Sequence, residues 1–211
     1  MLLQSITNGV IFPSTMIHLH IRNYKGVNTS NIFHSLNPLK DLSSGDGSYQ
    51  SVLDATECPI QRPTDSEIQR LYYSGKQKWH AIKYEVAITW TGSSDYRIVW
   101  VSRPAPGSVR DLKLARMGWM KKLLPEEKVL ADKGYIGESC FVTPFKNPTY
   151  EYQFEANQAI GRARIFVEHV MGLIKNFRAM STRWRHERFS HGLAFKVIAE
   201  LVNIQKIAHE Q

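Results

Sequence analysis

Cysteine is nearly missing from this chain: Cys58 and Cys140 are the only two among 211 residues. So small a number excludes a disulfide scaffold, and without a CxxC pair there is no zinc half-site. A reducing compartment is the expectation that follows. Equally missing is any apolar run of the roughly 20 residues needed to cross a bilayer. The opening stretch MLLQSITNGVIFPSTM has no basic leading segment and is interrupted by Gly9 and Pro13, so it makes a poor signal peptide. Repeats and low-complexity tracts are lacking too. Acidic residues are the scarcer sign, with Asp+Glu 19 against Lys+Arg 27, a net charge of +8 and a pI near 9.5. What remains is a soluble, intracellular globular chain, 43% hydrophobic, of one domain or one domain plus an extension. Its basic excess favours an anionic partner, with nucleic acid ahead of an anionic membrane.

Residues 1–49 differ from the rest. They hold one short alternating segment, IHLHI at 17–21, and end in KDLSSGDGS at 40–48, which reads as a linker. His18 and His20 share a face of that segment, and a polar strand face is favoured there over a metal site. From residue 50 the pattern is regular. SVLD at 51–54 is an apolar run ending on an acid. In HAIKYEVAIT at 80–89, His80, Ile82, Tyr84, Val86 and Ile88 share one strand face, and RIVWVS at 97–102 is a second β-rich run joined by the loop TGSSDY. PGSVRDLKLARMG predicts a helix with Ser108 as N-cap and Asp111 at its third position. KVLAD at 128–132 is another short strand ending on an acid. Helices are predicted over about 156–178 and 189–209. Strands and helices in this order make a mixed α/β domain.

Asp54 and Asp132 each close a short hydrophobic strand. Strands that end on carboxylates deliver them to the edge of a sheet, where ligands bind in open α/β folds, and such oxygens suit hard divalent cations. Taken singly, either Asp also fits a simple turn cap. At 100° per residue the long helix has an apolar back of Ala163, Phe166, Val167, Val170, Ile174 and Phe177. Its front carries Gly161, Arg164, Glu168, Gly172 and Lys175. That front reads either as a solvated face with an Arg–Glu pair at i,i+4, or as a third carboxylate with cations ready for phosphates. In the second reading the two glycines let a bulky polyanion approach.

Asp54 in VLDATECPI, Asp132 in VLADKGYIGE and Glu168 in RARIFVEHVMGLIKNF resemble the DDE transposases of the Harbinger type, relatives of bacterial insertion-sequence transposases. Thirty-five residues separate Asp132 from Glu168, a typical interval in that superfamily. Arg164, Glu168 and Lys175 match the R-x3-E-x6-K signature of related insertion-sequence enzymes, with Gly161 where a Tyr often stands. YYSGKQKWHAIK and PGSVRD resemble two further family blocks, Arg110 standing where the family usually has His. The resemblance spans about 50–205, a DDE endonuclease domain over 50–211, and leaves 1–49 unmatched. It implies a ribonuclease H-like fold, a mixed sheet flanked by helices with the triad at its edge.

By that resemblance Asp54, Asp132 and Glu168 are the catalytic, metal-holding carboxylates, the cofactor is Mg2+ with Mn2+ able to substitute, and Arg164 and Lys175 neutralise phosphate. Two such ions about 3.5–4 Å apart activate water and stabilise the leaving oxygen. Residues 160–196 carry eight Lys/Arg and two acids, +6 of the total +8. Within STRWRHERFSH at 181–191, Arg183 and Arg185 alternate with Trp184 and Phe189 as a candidate phosphate- and base-contacting stretch, or as a solvated basic turn. Lys76, Lys78 and Lys83 form a weaker second candidate. Asp111 reads as a cap, Glu57 as a loop acid, and the two cysteines as structural thiols. The expected activity is metal-dependent cleavage of DNA phosphodiesters, with strand transfer as an extension. The rival is a non-catalytic DNA- or partner-binding derivative of a transposase, or an inactive remnant. Partners implied are DNA, a separate Myb-like DNA-binding protein and a second copy in a homo-oligomer. The compartment is the nucleus for a eukaryotic protein and the cytoplasm for a bacterial one.

Overall fold

The computed structural model describes residues 51–89, 96–124 and 127–209. The segment at 17–21, the linker at 40–48 and most of the loop at 91–96 lie outside the described residues.

The sheet grows around two long strands. β1 (Ser51–Pro59) and β3 (Trp79–Thr89) pair antiparallel from Ser51↔Thr89 to Pro59↔Ala81. β6 (Val129–Ala131) pairs parallel with β1, and β7 (Phe141–Val142) parallel with β6. β2 (Tyr73–Ser74), β5 (Ala105–Pro106) and β4 (Ile98–Val101) pair with β3 in turn along its length. The main order is β2-β3-β1-β6-β7. This is the α/β fold expected from the sequence, a mixed, helix-flanked sheet of the ribonuclease H-like kind.

Alternation along β1 and β3 sends side chains to two different cores. On one face Val52, Cys58, Ile82, Tyr84, Val86 and Ile88 pack against α3 (Glu151–Lys175), α4 (Arg178–Ser181) and α5 (Arg188–His209). On the other, Leu53, Ala87, Val99, Val129 and Ala131 meet Ala115 of α2 (Asp111–Met117), Trp119 and Tyr135. α1 (Ser66–Tyr72) is capped by Asp65, whose carboxylate accepts from the amides of Glu67 and Ile68. α3 starts at Glu151, five residues before the apolar period that predicted it. Its first turns are exposed and carry no stripe. They are held instead by Gln153 Oε1, which accepts from the Thr149 and Tyr150 amides, and by Asn157, which bonds both backbone groups of Phe145.

The PGS block has a steric explanation. A Cβ on Gly107 would lie 2.8 Å from the Tyr72 carbonyl and 2.9 Å from that of Ala81, so only glycine passes between α1 and β3. α2 does not use Ser108 as its N-cap. The cap position is Arg110, without a side-chain bond, and Asp111 opens the helix. At the β4 edge, Asn203 of α5 accepts from the Ile98 amide and donates to its carbonyl, each at 2.9 Å. Among the described residues no helix is long and apolar enough to cross a membrane.

One core contact makes stability depend on pH. Tyr84 OH lies 2.7 Å from Nδ1 of the fully buried His191, while Nε2 of that ring has no partner. Burial lowers the His191 pKa to about 4, so the ring is neutral in the fold. Unfolded, it takes up a proton below its usual value near 6.5, so the fold loses stability as pH falls from about 6.5 to about 4. Melting temperatures across that interval should drop more steeply for the native chain than for His191→Gln, and equal slopes would contradict this.

Candidate active site

The parallel pairing of β1 with β6 runs from Ser51↔Val129 to Leu53↔Ala131 and stops there. Asp54 and Asp132 are the next residues on each strand, so two carboxylates leave the sheet side by side. Asp132 stands at its strand end, as the sequence implies. Asp54 does not, because β1 continues to Pro59 along β3; what ends at Asp54 is the parallel half of its pairing. Asp54 belongs to the face covered by α3, and α3 brings Arg164 and Glu168 over it.

Arg164 joins the three acids. Its guanidinium nitrogens lie 3.1 Å from Glu168, 3.5 Å from Asp132 and 3.9 Å from Asp54. Asp54 also accepts from the Ala55 amide at 2.8 Å. Its carboxyl is nonetheless raised above the ordinary value, chiefly by burial and also by the negative charge of Asp132, while Ala55 and Arg164 pull it down. Among the described residues no three Asp, Glu, His or Cys side chains are close enough together to hold a metal ion by themselves; Arg164 lies among the carboxylates. The donor set itself, all carboxylate oxygen, fits a hard divalent cation and no soft one.

The front of α3 is open. Gly161, Glu168, Gly172 and Lys175 are all exposed, and a Cβ on either glycine would meet no atom within 4 Å. Packing does not require glycine at these positions. Lys175 lies seven residues from Glu168, about 10 Å along the helix, and forms no ion pair among the described residues. The structure does not bring Arg183 and Arg185 to the triad. Both are exposed beside the far end of β1, where the Trp184 backbone bonds to Pro59 and Gln61. Trp184 itself is taken by the protein, with Nε1 donating to the Glu187 carbonyl and the ring edge-on to His191. Phe189 remains free, 84% exposed.

Beneath the site, on the α2 face, lies a polar layer that sequence reasoning missed. Lys83 is not a surface cation: it is buried, and donates to Asp111 at 2.9 Å and to the Val109 carbonyl at 2.8 Å, with Glu57 at 3.3 Å. Asp111 is therefore an ion-pair partner rather than a cap, and Glu57 is a strand residue rather than a loop acid. Gly134 makes room for Asp111, whose Oδ2 would be 3.0 Å from a Cβ there. Glu85, paired with Ala55 across the ladder, is wholly buried against Tyr135. Burial pushes its carboxyl up to about 8, so it is neutral at pH 7. The available signal was the interruption of the β3 inner face by two charged residues at alternate positions, Lys83 and Glu85. The Cys58 thiol, raised by burial to about 12, is inert as expected.

Because Glu85 ionises near 4.5 when unfolded and near 8 when folded, its burial is without penalty below 4.5 and costs stability as pH rises toward 8. Glu85→Gln should therefore melt higher than the native chain at pH 8 and about equally at pH 5. A variant equally destabilised at both would show that the acid is ionised in the fold.

Residues 53–203 match the family described as DDE superfamily endonuclease. A protein of Microchaete diplosiphon described as "Probable transposase for insertion sequence element IS702" is 34% identical over 164 residues, covering 73% of this chain. The chain spans 56% of that relative's length. No solved structure matches it.

Proposed function

The chain belongs to the DDE superfamily endonucleases, and on that premise we propose that it is a divalent-metal-dependent catalytic core that cleaves DNA phosphodiesters through Asp54, Asp132 and Glu168. The observation that carries the proposal is the meeting of these three carboxylates around one cationic position, from three elements far apart in sequence. A phosphodiester resists attack because its anionic oxygens repel nucleophiles. Magnesium, held by the three carboxylates, would supply charge for both the attacking and the leaving oxygen.

The protein's own groups account for the rest. Asp54, mostly buried and fixed by the Ala55 amide, sets one side of the site; Asp132 sets the other. Glu168 closes it from the helix. Lys175, on the same open face, is the proposed contact for a neighbouring phosphate, and Arg183 and Arg185 for backbone further along the DNA. Strand transfer would use the same carboxylates with a DNA 3′-hydroxyl in place of water. The charge distribution supports DNA as the substrate, since eight Lys/Arg and two acids lie within 160–196.

Nicking of supercoiled plasmid in magnesium or manganese, suppressed by chelator, should fall at least about a hundredfold in Asp132→Asn with the melting temperature nearly unchanged. The same nicking by that variant would remove the triad from the chemistry. The glycines give an independent check on the DNA face. Gly161→Ala and Gly172→Ala should each stabilise the helix by about 0.5–1 kcal/mol while weakening duplex binding measured by fluorescence anisotropy. Unchanged affinity would mean that DNA does not approach this face of α3.

A further inference from the structure

The position of Arg164 carries more than a phosphate contact. Its guanidinium reaches all three carboxylates at once, the charge a bound cation would otherwise bring. It is poorly held there. Only the Glu168 contact, at 3.1 Å, is a hydrogen bond; those to Asp132 and Asp54 are 3.5 and 3.9 Å, beyond the 2.7–2.9 Å typical of charge-assisted bonds. Its Nε is buried and has no partner. An arginine settled in a structural role would satisfy its fork; this one is shared among three acids and satisfied by none fully. The neighbouring surface offers it room, since the Gly161 and Gly172 positions are bare.

We propose that Arg164 is an exchangeable internal cation, which holds the three carboxylates together before metal enters and swings out to a DNA phosphate as metal is loaded. The proposal rests on the metal-dependent reading of the triad. Two cationic groups cannot share one set of acids, so arginine and metal compete. An incoming phosphate gives the displaced guanidinium a new bidentate anion partner, for which its planar fork is suited. Metal loading and DNA binding are then linked, and each strengthens the other. A chain without DNA binds metal weakly, which keeps the nuclease quiet until substrate arrives.

The test is Mn2+ binding, read by the loss of free-ion electron paramagnetic resonance signal, with and without a short duplex carrying no cleavable site. Arg164→Gln should bind Mn2+ about tenfold or more tightly than the native chain without DNA, because a competing charge within about 4 Å of the ligands is gone. Duplex should tighten Mn2+ binding to the native chain and leave that of Arg164→Gln nearly unchanged. Arg164→Lys, which keeps the charge but not the fork, should fall between, and serves if the glutamine variant does not fold. Equal or weaker Mn2+ binding by both variants, with binding still abolished by Asp132→Asn, would overturn the exchange and leave the metal-dependent reading intact. No Mn2+ binding to any of the proteins would overturn both.

Discussion

Everything at the site follows from where one ladder ends. β6 is three residues long and pairs with only the first three of β1. Had the parallel pairing continued, residues 54 and 132 would be interior positions of a sheet, where a carboxylate is tolerated only if paired. Because it stops, the two acids follow the last paired residues side by side, an all-oxygen pair at the end of the ladder. The antiparallel partner β3 holds β1 through and beyond Asp54, so one carboxylate is fixed in the middle of a strand and the other at the end of one.

The same two strands carry unlike chemistry on their two faces. Toward α3 the neighbours of Asp54 are apolar, Val52, Val86 and Ile88, and they anchor the helix that supplies Arg164 and Glu168. Toward α2 the strands carry Glu57, Lys83 and Glu85, a layer unusual for a central strand pair. Its logic is neutralisation. Lys83 is set against Glu57 and Asp111, and Glu85 is protonated, so the layer carries one net negative charge where its three acids alone would bring three. Through Asp111 it also touches Gly134, within the turn that follows Asp132. PGSVRD and ADKGY, separate blocks of sequence, are thus one piece of packing.

Much of this was legible in the residues. Period-two alternation located β3 and the face it buries, and period 3.6 separated the apolar back of α3 from the front bearing Arg164, Glu168 and Lys175. Resemblance pointed to the fold, and the three acids it named are the ones that meet around Arg164. Less was legible wherever a residue's role depends on a partner distant in sequence. Lys83 looked like a surface cation until Glu57 and Asp111 were seen to enclose it. Asp111 had the spacing of a helix cap and none of its geometry. Asp54 appeared to end a strand because the apolar run stopped, but Ala55, Thr56 and Cys58 sustain β1 through pairing with β3. Trp184 stood in a stretch readable either as base-contacting or as a solvated basic turn, and its ring in fact packs edge-on against His191. Pattern reports local periodicity; it does not report which long-range contact a polar side chain has found.

Glu168 and Lys175 stand on one uninterrupted helix, together with the two exposed glycines, Gly161 and Gly172. No hinge or interdomain joint separates them. The interval between these two positions is therefore set by peptide geometry, and on the proposed reading the helix is a ruler laid along the substrate. Repacking of the core or drift in the loops can tilt that ruler or shift it bodily. Rescaling it requires inserting or deleting residues within the helix, and that would rotate Lys175 off the face as well as displace it.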